Sequence, residues 1–593
     1  MLCLGFYAAK GQMATDNKRI ADVYFLNKEY YAAAEYYKKA LSISSDSAGF
    51  VVPYGFETRI KEENSANKKS DYEYAVFQLA TSLRLYKNFQ DAEKWYVIAS
   101  NFTNPKYELS RYWYAECLRS NFKFEEAIAA FEAFLAKNNT KDEYTANALS
   151  HIESCKFALS EIKYPRLFTL SKLASNINLG GSNYATALSS QNFYFTSSRP
   201  VGASGKTEVL TAANTKQTVV RKETPYLNAI YATSANFENS TLPIKRVDVV
   251  NVKMMESAAP TFSPDGNVMY FTAWYTKDDK NRSIYISKKT AEDKWSPPVM
   301  LGGEINVLGF NSIQPHLTKD GKHLIFSSNR PGGSGNYDLW YAPIRPDGST
   351  GNAINMGNKI NSKGDEQAPY YNHELKKLIY SSNGRIGLGG FDFYKAEGGF
   401  GNWTEPENIG YPFNSAKDDL YFTPLNDLDT EGYVSSDRES VCCLEIFHVK
   451  SELLTVKGKL IDCETLAPLA GAKVILTGKD LKEMTTLTDA KGNYSFGINS
   501  NRGFRINATH KLYFAKKIDI KIEQLVAIDT LNSEICLDRI PEKPIVLKNI
   551  LYDFDSDALT EASKINLNHL YNIMVDNPNI EIELAAHTDN IGT

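Results

Sequence analysis

The chain has 593 residues, 66 basic and 70 acidic side chains, and a formal net charge of −4. Single hydrophobic cores stop growing near roughly 250–300 residues, so the length predicts several domains. The lack of a basic excess excludes a dedicated nucleic-acid binder. No apolar run reaches the about 18–20 residues of a membrane-spanning helix.

The first residues have the features of a secretory signal peptide that has lost its basic start. An apolar run, Leu2–Ala9, leads into Ala9-Lys10-Gly11, a small-x-small cleavage pattern, before Gln12. The start of a buried helix is the alternative interpretation. We expect residues 1–12 to be a residual signal peptide.

The cysteines do not form a disulfide scaffold, since there are only seven in the chain. Cys463 and Cys536 lie near the two ends of one small β domain, where they either pair in an oxidising compartment or stay as two buried thiols. Cys442 and Cys443 are adjacent and are interpreted as strand or loop residues. No Cys-x-x-Cys and no zinc-like Cys/His spacing occurs in the sequence, so no metal site is expected.

Residues 17–163 carry a helical period and a repeated pattern of aromatic and small residues. Tyr30, Ala33 and Tyr37 recur as Phe89, Ala92 and Tyr96, and a third copy begins at Phe124. The second and third copies are 35 residues apart, close to the 34 of the tetratricopeptide repeat, which this segment resembles. A generic array of helical hairpins is the alternative. Such arrays bind protein segments, so the sequence predicts a partner-binding groove that contains Tyr30, Tyr37, Phe89 and Tyr96.

Residues 165–450 change to a period of two, and one strand is repeated five times. The copies are Asn192–Arg199, Val268–Trp274, Leu324–Arg330, Leu378–Gly384 and Gly432–Arg438. Tight Asp-Gly turns precede two of them, at Gly266 and Gly321. Several strands per repeat of about 54 residues resemble the blades of a WD40-like β-propeller. Five blades are predicted; six is the alternative, because the first interval, from Phe195 to Phe271, is 76 residues long.

Two glycine-rich segments of this region, Arg330–Asn336 and Gly384–Gly390, are interpreted as loops that connect strands. No helix follows either of them, and phosphate cradles need a helix N-terminus. Asp338 and Asp392 recur behind these segments, which indicates structural hydrogen bonding rather than acid–base chemistry.

Residues 453–540 form a smaller β module whose strands alternate as in a sandwich. The segment Thr488–Phe496 resembles the signature of the carboxypeptidase regulatory-like fold. Asp489 and Gly492 are expected to shape a turn, and Tyr494 and Phe496 to enter the core. The segment Ile540–Pro544 then contains two prolines and predicts a stiff linker.

Residues 545–593 contain a strand, an amphipathic run and a second strand that ends in His587-Thr588-Asp589. This order resembles the start of the OmpA-type peptidoglycan-binding domain, and we expect the chain to be truncated inside it. The resemblance implies contact with the diaminopimelate of the peptidoglycan stem peptide through Asp589, Asp555 and Thr588. An acidic side chain would accept the ligand ammonium there. Capping of a strand by His587 and Asp589 is the alternative.

No nucleophile, base and orienting group occur together in a known catalytic pattern, so neither an enzyme nor a cofactor is expected. The order of modules resembles OmpA-family periplasmic proteins of the Bacteroidetes of the PorE-like kind. The resemblance implies a non-catalytic periplasmic scaffold, associated with the outer membrane and cell wall. It would anchor a PorP/SprF-like outer-membrane barrel of type IX secretion or gliding to peptidoglycan. A wall tether without a secretion role, and a propeller-based ligand binder or enzyme, are the alternatives. A buried polar cluster with perturbed pKa values in the propeller channel favours the last of these; a filled channel favours the scaffold.

Overall fold

The structure is a computed structural model. Contacts between residues divide the chain into two compact units. The first unit contains residues 1–163 and 169–450, and the second contains residues 164–168 and 451–593. The structure describes residues 17–42, 65–138, 142–200, 226–235, 243–249, 255–275, 281–291, 294–478, 481–526, 528–541, 550 and 558–583. The residual signal peptide expected at residues 1–12 lies outside these ranges.

The first unit begins with a helical array in which each helix from α2 onward packs against the next one in the chain. The helices are α1 (17–26), α2 (Tyr30–Ala40), α3 (Ser65–Leu85), α4 (Phe89–Ala99), α5 (Ser110–Ser120), α6 (Phe124–Lys137) and α7 (Glu143–Lys163). The repeated alanines Ala33, Ala92 and Ala127 are fully buried, so that helices approach closely at these positions. The predicted helical array is therefore present, with the repeated small residues in its core.

Five antiparallel sheets follow, and each sheet is built largely from consecutive strands. The first two contain β2 (Asn183–Ser189), β3 (Asn192–Pro200), β4 (Tyr226–Ser234) and β5 (Lys245–Arg246), then β6 (Met255–Phe262), β7 (Val268–Tyr275), β8 (Ser283–Lys288) and β9 (Val299–Met300). The third and fourth contain β10 (Ser312–Leu317), β11 (His323–Ser328), β12 (Asp338–Pro343) and β13 (Ile354–Asn355), then β14 (Glu366–Asn372), β15 (Lys377–Ser382), β16 (Asp392–Gly399), β17 (Asn402–Trp403) and β18 (Glu407–Asn408). The fifth contains β19 (Asp419–Pro424), β20 (Glu431–Ser436), β21 (Glu445–Ser451) and β1 (Phe168–Lys172), which comes from the start of the region.

The sheets close into a ring, which confirms the predicted propeller. The first strands of the sheets, β2, β6, β10, β14 and β19, contact one another in this order, and β19 also contacts β2. Within the described ranges the ring has five blades. The long first interval belongs to a single blade, because β3 pairs directly with β4 and the additional residues connect those two strands.

The strand that the sequence repeats five times is the second strand of each blade. It is buried on both faces between neighbouring sheets, and each copy contains consecutive apolar or aromatic residues that are followed, in most copies, by small buried polar ones. The equivalent residues Phe195, Phe271, Phe326, Tyr380 and Val434 are all fully buried. The two Asp-Gly turns also form as predicted, with Gly266 and Gly321 both at φ 71°.

The helical array packs on one end of the propeller. The hydrophobic core that contains Tyr112 and Phe131 of the array also includes Leu388 and Ala416 from propeller loops. Arg119 Nη1 donates to the carbonyl of Gly389 (2.7 Å), and Lys87 pairs with Asp418 (2.8 Å). The loop with Leu388 and Gly389 follows the second strand of the fourth blade, and the loop with Ala416 and Asp418 precedes the first strand of the fifth blade. Both loops therefore lie at the end of the propeller opposite the turns that join the first strand of each blade to the second.

The second unit contains two sheets around a shared core. One sheet has the order β25 (Asn493–Ile498), β22 (Leu454–Asp462), β28 (Thr530–Leu537), and the other has the order β24 (Leu481–Leu487), β23 (Lys473–Gly478), β26 (Phe504–Thr509), β27 (Lys516–Ile520). Tyr494 and Phe496 are in the core, and Asp489 accepts the amides of Lys491 and Asn493 at 2.8 Å beside Gly492, as predicted. Cys463 and Cys536 form a disulfide, which decides between the two alternatives.

The described end of this unit contains one helix, α8 (Glu561–Asp576). Asn577, directly after it, exchanges hydrogen bonds with Ala515 before β27. The predicted first strand of the OmpA-type module lies almost entirely outside the described residues. The described residues 580–583 contain no strand, and the rest of the predicted second strand lies beyond the described part.

Candidate functional site

A cavity of about 600 Å³ opens on the propeller axis, at the end opposite the helical array. All five first strands line it. In each of them a bulge places one residue in the left-handed region: Ala185 (φ 52°), Ala259 (52°), Gln314 (56°), Ala368 (50°) and Tyr421 (59°). These five residues all line the cavity. Because three of them are alanine, the centre of the ring is not filled.

The side chain of Gln314 forms hydrogen bonds that connect three blades. Its Nε2 donates to Tyr421 OH (2.8 Å) and to Gln367 Oε1 (3.0 Å), while its Oε1 accepts the amide of Ala368 (2.7 Å). The ring of Tyr421 lies 5.4 Å from that of Tyr184. Burial raises the pKa of both tyrosines, so both phenols stay protonated. The channel therefore contains a buried polar cluster with perturbed pKa values.

His316 lines the same cavity as a neutral ring. Its Nε2 accepts the amide of Tyr371 (3.1 Å), which leaves the ring proton on Nδ1. Burial lowers the pKa of His316 to about 4, and the Tyr371 hydrogen bond opposes this only in part. The ring meets Tyr370 edge to face at 5.3 Å. Near neutral pH, His316 thus offers an uncharged donor.

Charged groups lie on the turns and loops at the cavity mouth. Lys319 pairs with Asp427 (2.6 Å). Asp320 accepts from Thr318 Oγ1 (2.6 Å); burial raises its pKa, but this hydrogen bond and other polar neighbours outweigh burial and lower it. Lys319, Asp320 and Asp427 therefore have partners at the rim, whereas the inner wall is lined by neutral groups.

The predicted partner-binding residues do not form one surface. Tyr37 and Tyr96 are 0% exposed, and their hydroxyls donate to Asp22 (2.6 Å) and Thr81 (3.1 Å). Their assignment to a binding groove is wrong, because both rings fill the core between helices. Tyr30 and Phe89 are half-buried; Tyr30 meets the ring of Phe25 at 5.5 Å, and Phe89 packs against the same core.

The other predicted site residues, Asp555, Thr588 and Asp589, lie outside the described residues. Among the described residues, no group of histidine, cysteine and carboxylate side chains is suited to hold a metal ion. No described helix is both long and apolar enough to cross a membrane.

The glycine-rich segments are loops held by the repeated aspartates, as predicted. Asp338 accepts the amides of Ser334 (2.5 Å) and Gly335 (3.1 Å). Asp392 accepts those of Leu388 (2.7 Å) and Gly389 (3.2 Å).

Gln314 and His316 were not predicted as site residues from the sequence. A signal was present, since Ala259-Pro260, Gln314-Pro315 and Ala368-Pro369 repeat at equivalent positions before the turns between first and second strands. Aligning the repeats there identifies the residues that face the channel.

No family model matches the chain, and no curated protein does either. Solved structures that are similar to it include an endo-arabinase from Bacteroides thetaiotaomicron (15% identity, 47% of this chain and 97% of that chain, TM-score 0.32). A GH43_1 enzyme from Xanthomonas citri matches with 10% identity over 49% and 92% of the chains (TM-score 0.28). A puromycin hydrolase matches with 10% identity over 58% and 53% (TM-score 0.25). At these identities and TM-scores the likeness gives no substrate, reaction or site for this chain.

These neighbours contradict one prediction made from the sequence. The sequence predicts a non-catalytic scaffold and no enzyme, but the solved proteins to which the chain is similar are mainly named as glycoside hydrolases. The scaffold and the expected lack of enzymatic function are therefore wrong as conclusions from this architecture.

Proposed function

We propose that the propeller binds a small, neutral, polyhydroxylated ligand of the carbohydrate class in its axial cavity. The single observation that carries this proposal is the open cavity of about 600 Å³ around Gln314 and His316. Small-molecule sites typically measure about 300–1,000 Å³ and combine apolar walls with a few converging polar groups.

The neutrality of the inner wall supports an uncharged ligand. His316 is neutral near pH 7 and Gln314 is an amide. Burial raises the pKa of the three tyrosines that line the cavity, Tyr370, Tyr371 and Tyr421. A charged group inside the cavity would lose water without meeting a buried counter-charge, which is costly. Hydroxyl groups exchange hydrogen bonds with neutral donors and acceptors at a much lower desolvation cost.

Apolar surface next to these polar groups supports a sugar ring rather than a fully polar molecule. Phe262, Phe422 and the prolines that follow three of the left-handed residues line the wall. The C–H faces of sugars pack against such surfaces while their hydroxyls meet polar groups. The proposal concerns the binding step; two carboxylates at the mouth have partners in the protein, Asp320 with Thr318 and Asp427 with Lys319.

The test is isothermal titration of the full chain with neutral arabino-, xylo- and chito-oligosaccharides, compared with oligogalacturonates and neutral dipeptides. At least one neutral oligosaccharide should bind. His316→Ala should weaken that binding about fivefold, which corresponds to the loss of one hydrogen bond of about 1 kcal/mol. His448→Ala is the matched control, since His448 lies on β21, does not line the cavity and pairs with Glu431.

Binding of only dipeptides or galacturonates would contradict the proposal, as would equal affinities of wild type and His316→Ala. Thermal unfolding of each variant shows whether the fold is retained. The same incubations should be assayed for new reducing ends, because their release would make the propeller a hydrolase.

We also propose that the protein works in the periplasm, near the outer membrane and cell wall. The Cys463–Cys536 disulfide supports this location, because disulfides persist in oxidising compartments. Fractionation of cells, followed by alkylation of free thiols, tests it; Cys463 alkylated in protein taken directly from cells would contradict it.

Contact with the peptidoglycan stem peptide, through Asp555, Thr588 and Asp589, is a separate proposal that rests on the OmpA-type resemblance. Sedimentation of the full-length protein with purified sacculi, wild type against Asp589→Ala, tests it.

A tetratricopeptide identity for the helical array and a carboxypeptidase regulatory-like identity for the β module are further proposals that rest on sequence resemblance. They are supported by the buried Ala33, Ala92 and Ala127 and by the Asp489 turn. Binding of a PorP/SprF-like barrel is tested by crosslinking in cells.

A further inference from the structure

Cys442 and Cys443 form a disulfide between adjacent residues in the loop that joins β20 to β21. Both residues are half-buried, and Val441 beside them is 55% exposed. The loop lies at the end of the propeller on which the helical array packs. A small reductant can therefore approach this bond from solvent.

The two disulfides of the protein differ in what they contribute to folding. Cys463 and Cys536 are 73 residues apart, so their bond restricts a long loop of the unfolded chain and stabilises the folded state. Cys442 and Cys443 are neighbours, and their bond closes no such loop. A disulfide that stabilises the folded state is itself stabilised by folding. Folding therefore protects the Cys463–Cys536 bond against reduction but gives the adjacent pair no equivalent protection.

The backbone beside the adjacent pair is tied to the helical array through a short series of contacts. Ser440 Oγ accepts the amides of Cys442 (3.1 Å) and Cys443 (2.7 Å), and the Ser440 carbonyl accepts Lys417 Nζ (2.5 Å). The residue after Lys417 is Asp418, which pairs with Lys87 in the turn between α3 and α4. A series of contacts thus leads from the 440–443 loop to an ion pair between array and propeller.

We propose that Cys442–Cys443 is a reversible thiol–disulfide site whose reduction loosens this contact between helical array and propeller. A dithiol reductant attacks one of the two sulfurs as its thiolate, forms a mixed disulfide and releases the other cysteine as a thiol. The second thiol of the reductant then displaces the remaining cysteine. Two electrons and two protons pass to the pair, and the reductant leaves as its own disulfide.

The experiment titrates the folded, air-oxidised full chain with dithiothreitol, traps free thiols with N-ethylmaleimide and maps them by peptide mass. Cys442 and Cys443 should become alkylated at reductant concentrations about tenfold lower than Cys463 and Cys536. Cys117 and Cys155 are internal controls, because they are buried free thiols and stay unlabelled while the helical array is folded.

Hydrogen exchange of residues 85–90 and 415–418 is the second readout. Exchange there should become about twofold or more faster in the reduced wild type. The double variant Cys442→Ser/Cys443→Ser should exchange at the faster rate without reductant and should not respond to it.

The proposal is overturned if Cys442 and Cys443 are alkylated before any reductant is added, or if they are reduced together with or after Cys463–Cys536. Unchanged hydrogen exchange in both the reduced wild type and the double variant would also overturn it, by separating the pair from the contact.

Discussion

Gln314 and Tyr421 belong to the third and fifth blades, which are not neighbours in the ring, and they are joined by a hydrogen bond of 2.8 Å across the channel. The same amide group of Gln314 also holds two groups of the fourth blade, Gln367 and Ala368. One side chain therefore connects three blades, at a position where three of the other four repeats have alanine.

Gln314→Ala should destabilise the propeller, because three hydrogen bonds disappear and buried partners stay unpaired. At about 0.5–1.5 kcal/mol for each bond, the loss in free energy of unfolding should be about 2–3 kcal/mol. Thermal and denaturant unfolding of the full chain measure it. Gln191→Ala, at an exposed turn position, is the matched control and should leave the midpoint unchanged; equal effects of both variants would contradict the role of Gln314.

Gly387→Ala should be destabilising, because a Cβ at this residue would lie 1.8 Å from Asp392 Oδ2. The loop would have to shift away from the aspartate that holds it, at a cost of about 1–3 kcal/mol. Gly303→Ala is the control, since a Cβ there has nothing within 4 Å. A comparison of unfolding midpoints checks this; a Gly387→Ala protein as stable as Gly303→Ala would mean that the loop is not tied to Asp392.

Lowering the pH should destabilise the propeller through His316. Burial lowers the pKa of His316 to about 4, while in the unfolded chain it is near 6.5, so below pH 6.5 the unfolded state binds the proton first. Above pH 6.5 the ring is neutral in both the folded and the unfolded state, so its pKa shift does not change the free energy of unfolding. As the pH falls from 6.5 towards 4, only the unfolded state binds the proton, and the folded state loses stability. Between pH 7 and pH 5 the loss should be on the order of 2 kcal/mol.

The measurement for His316 is denaturant unfolding at pH 7 and pH 5 for wild type and His316→Gln. The amide of glutamine does not titrate, so the variant should lose less stability over this interval than wild type does. Identical pH dependence in both proteins would show that His316 is not buried as a neutral group.

Arg119→Met should weaken the packing of the helical array on the propeller. The guanidinium is buried, donates to the Gly389 carbonyl (2.7 Å) and lies 3.5 Å from Glu116. Removing one partner of a buried ion pair costs about 3–5 kcal/mol, because the other charge stays buried. Limited proteolysis and unfolding curves report the loss, with Lys156→Met, in an exposed pair with Glu153, as a control that should behave as wild type.

The sequence by itself determined the features that depend on local periodicity. The five-fold repeat of one strand, with several strands in each interval of about 54 residues, predicted the propeller, because each blade is a small unit of consecutive strands that recurs along the chain. The Asp-Gly turns and the aspartates behind the glycine-rich loops followed from short-range backbone hydrogen bonding. The helical period with its small residues likewise predicted closely packed helices.

The sequence did not determine whether an aromatic residue lies at the surface or in the core. Tyr37 and Tyr96 recur with the helical period, and the period gives the side of each helix on which they lie. It does not show whether the next helix covers that side, and in the tertiary structure it does. Both tyrosines are core residues for this reason.

Only the tertiary structure assembled the cavity. Its five left-handed residues are spread from Ala185 to Tyr421, and each lies in a different repeat. The sequence shows a Gln or a Tyr where other repeats have Ala, but only ring closure brings Gln314 within hydrogen-bonding distance of Tyr421. The burial that keeps His316 neutral arises in the same way, because strands distant in sequence exclude water from its ring.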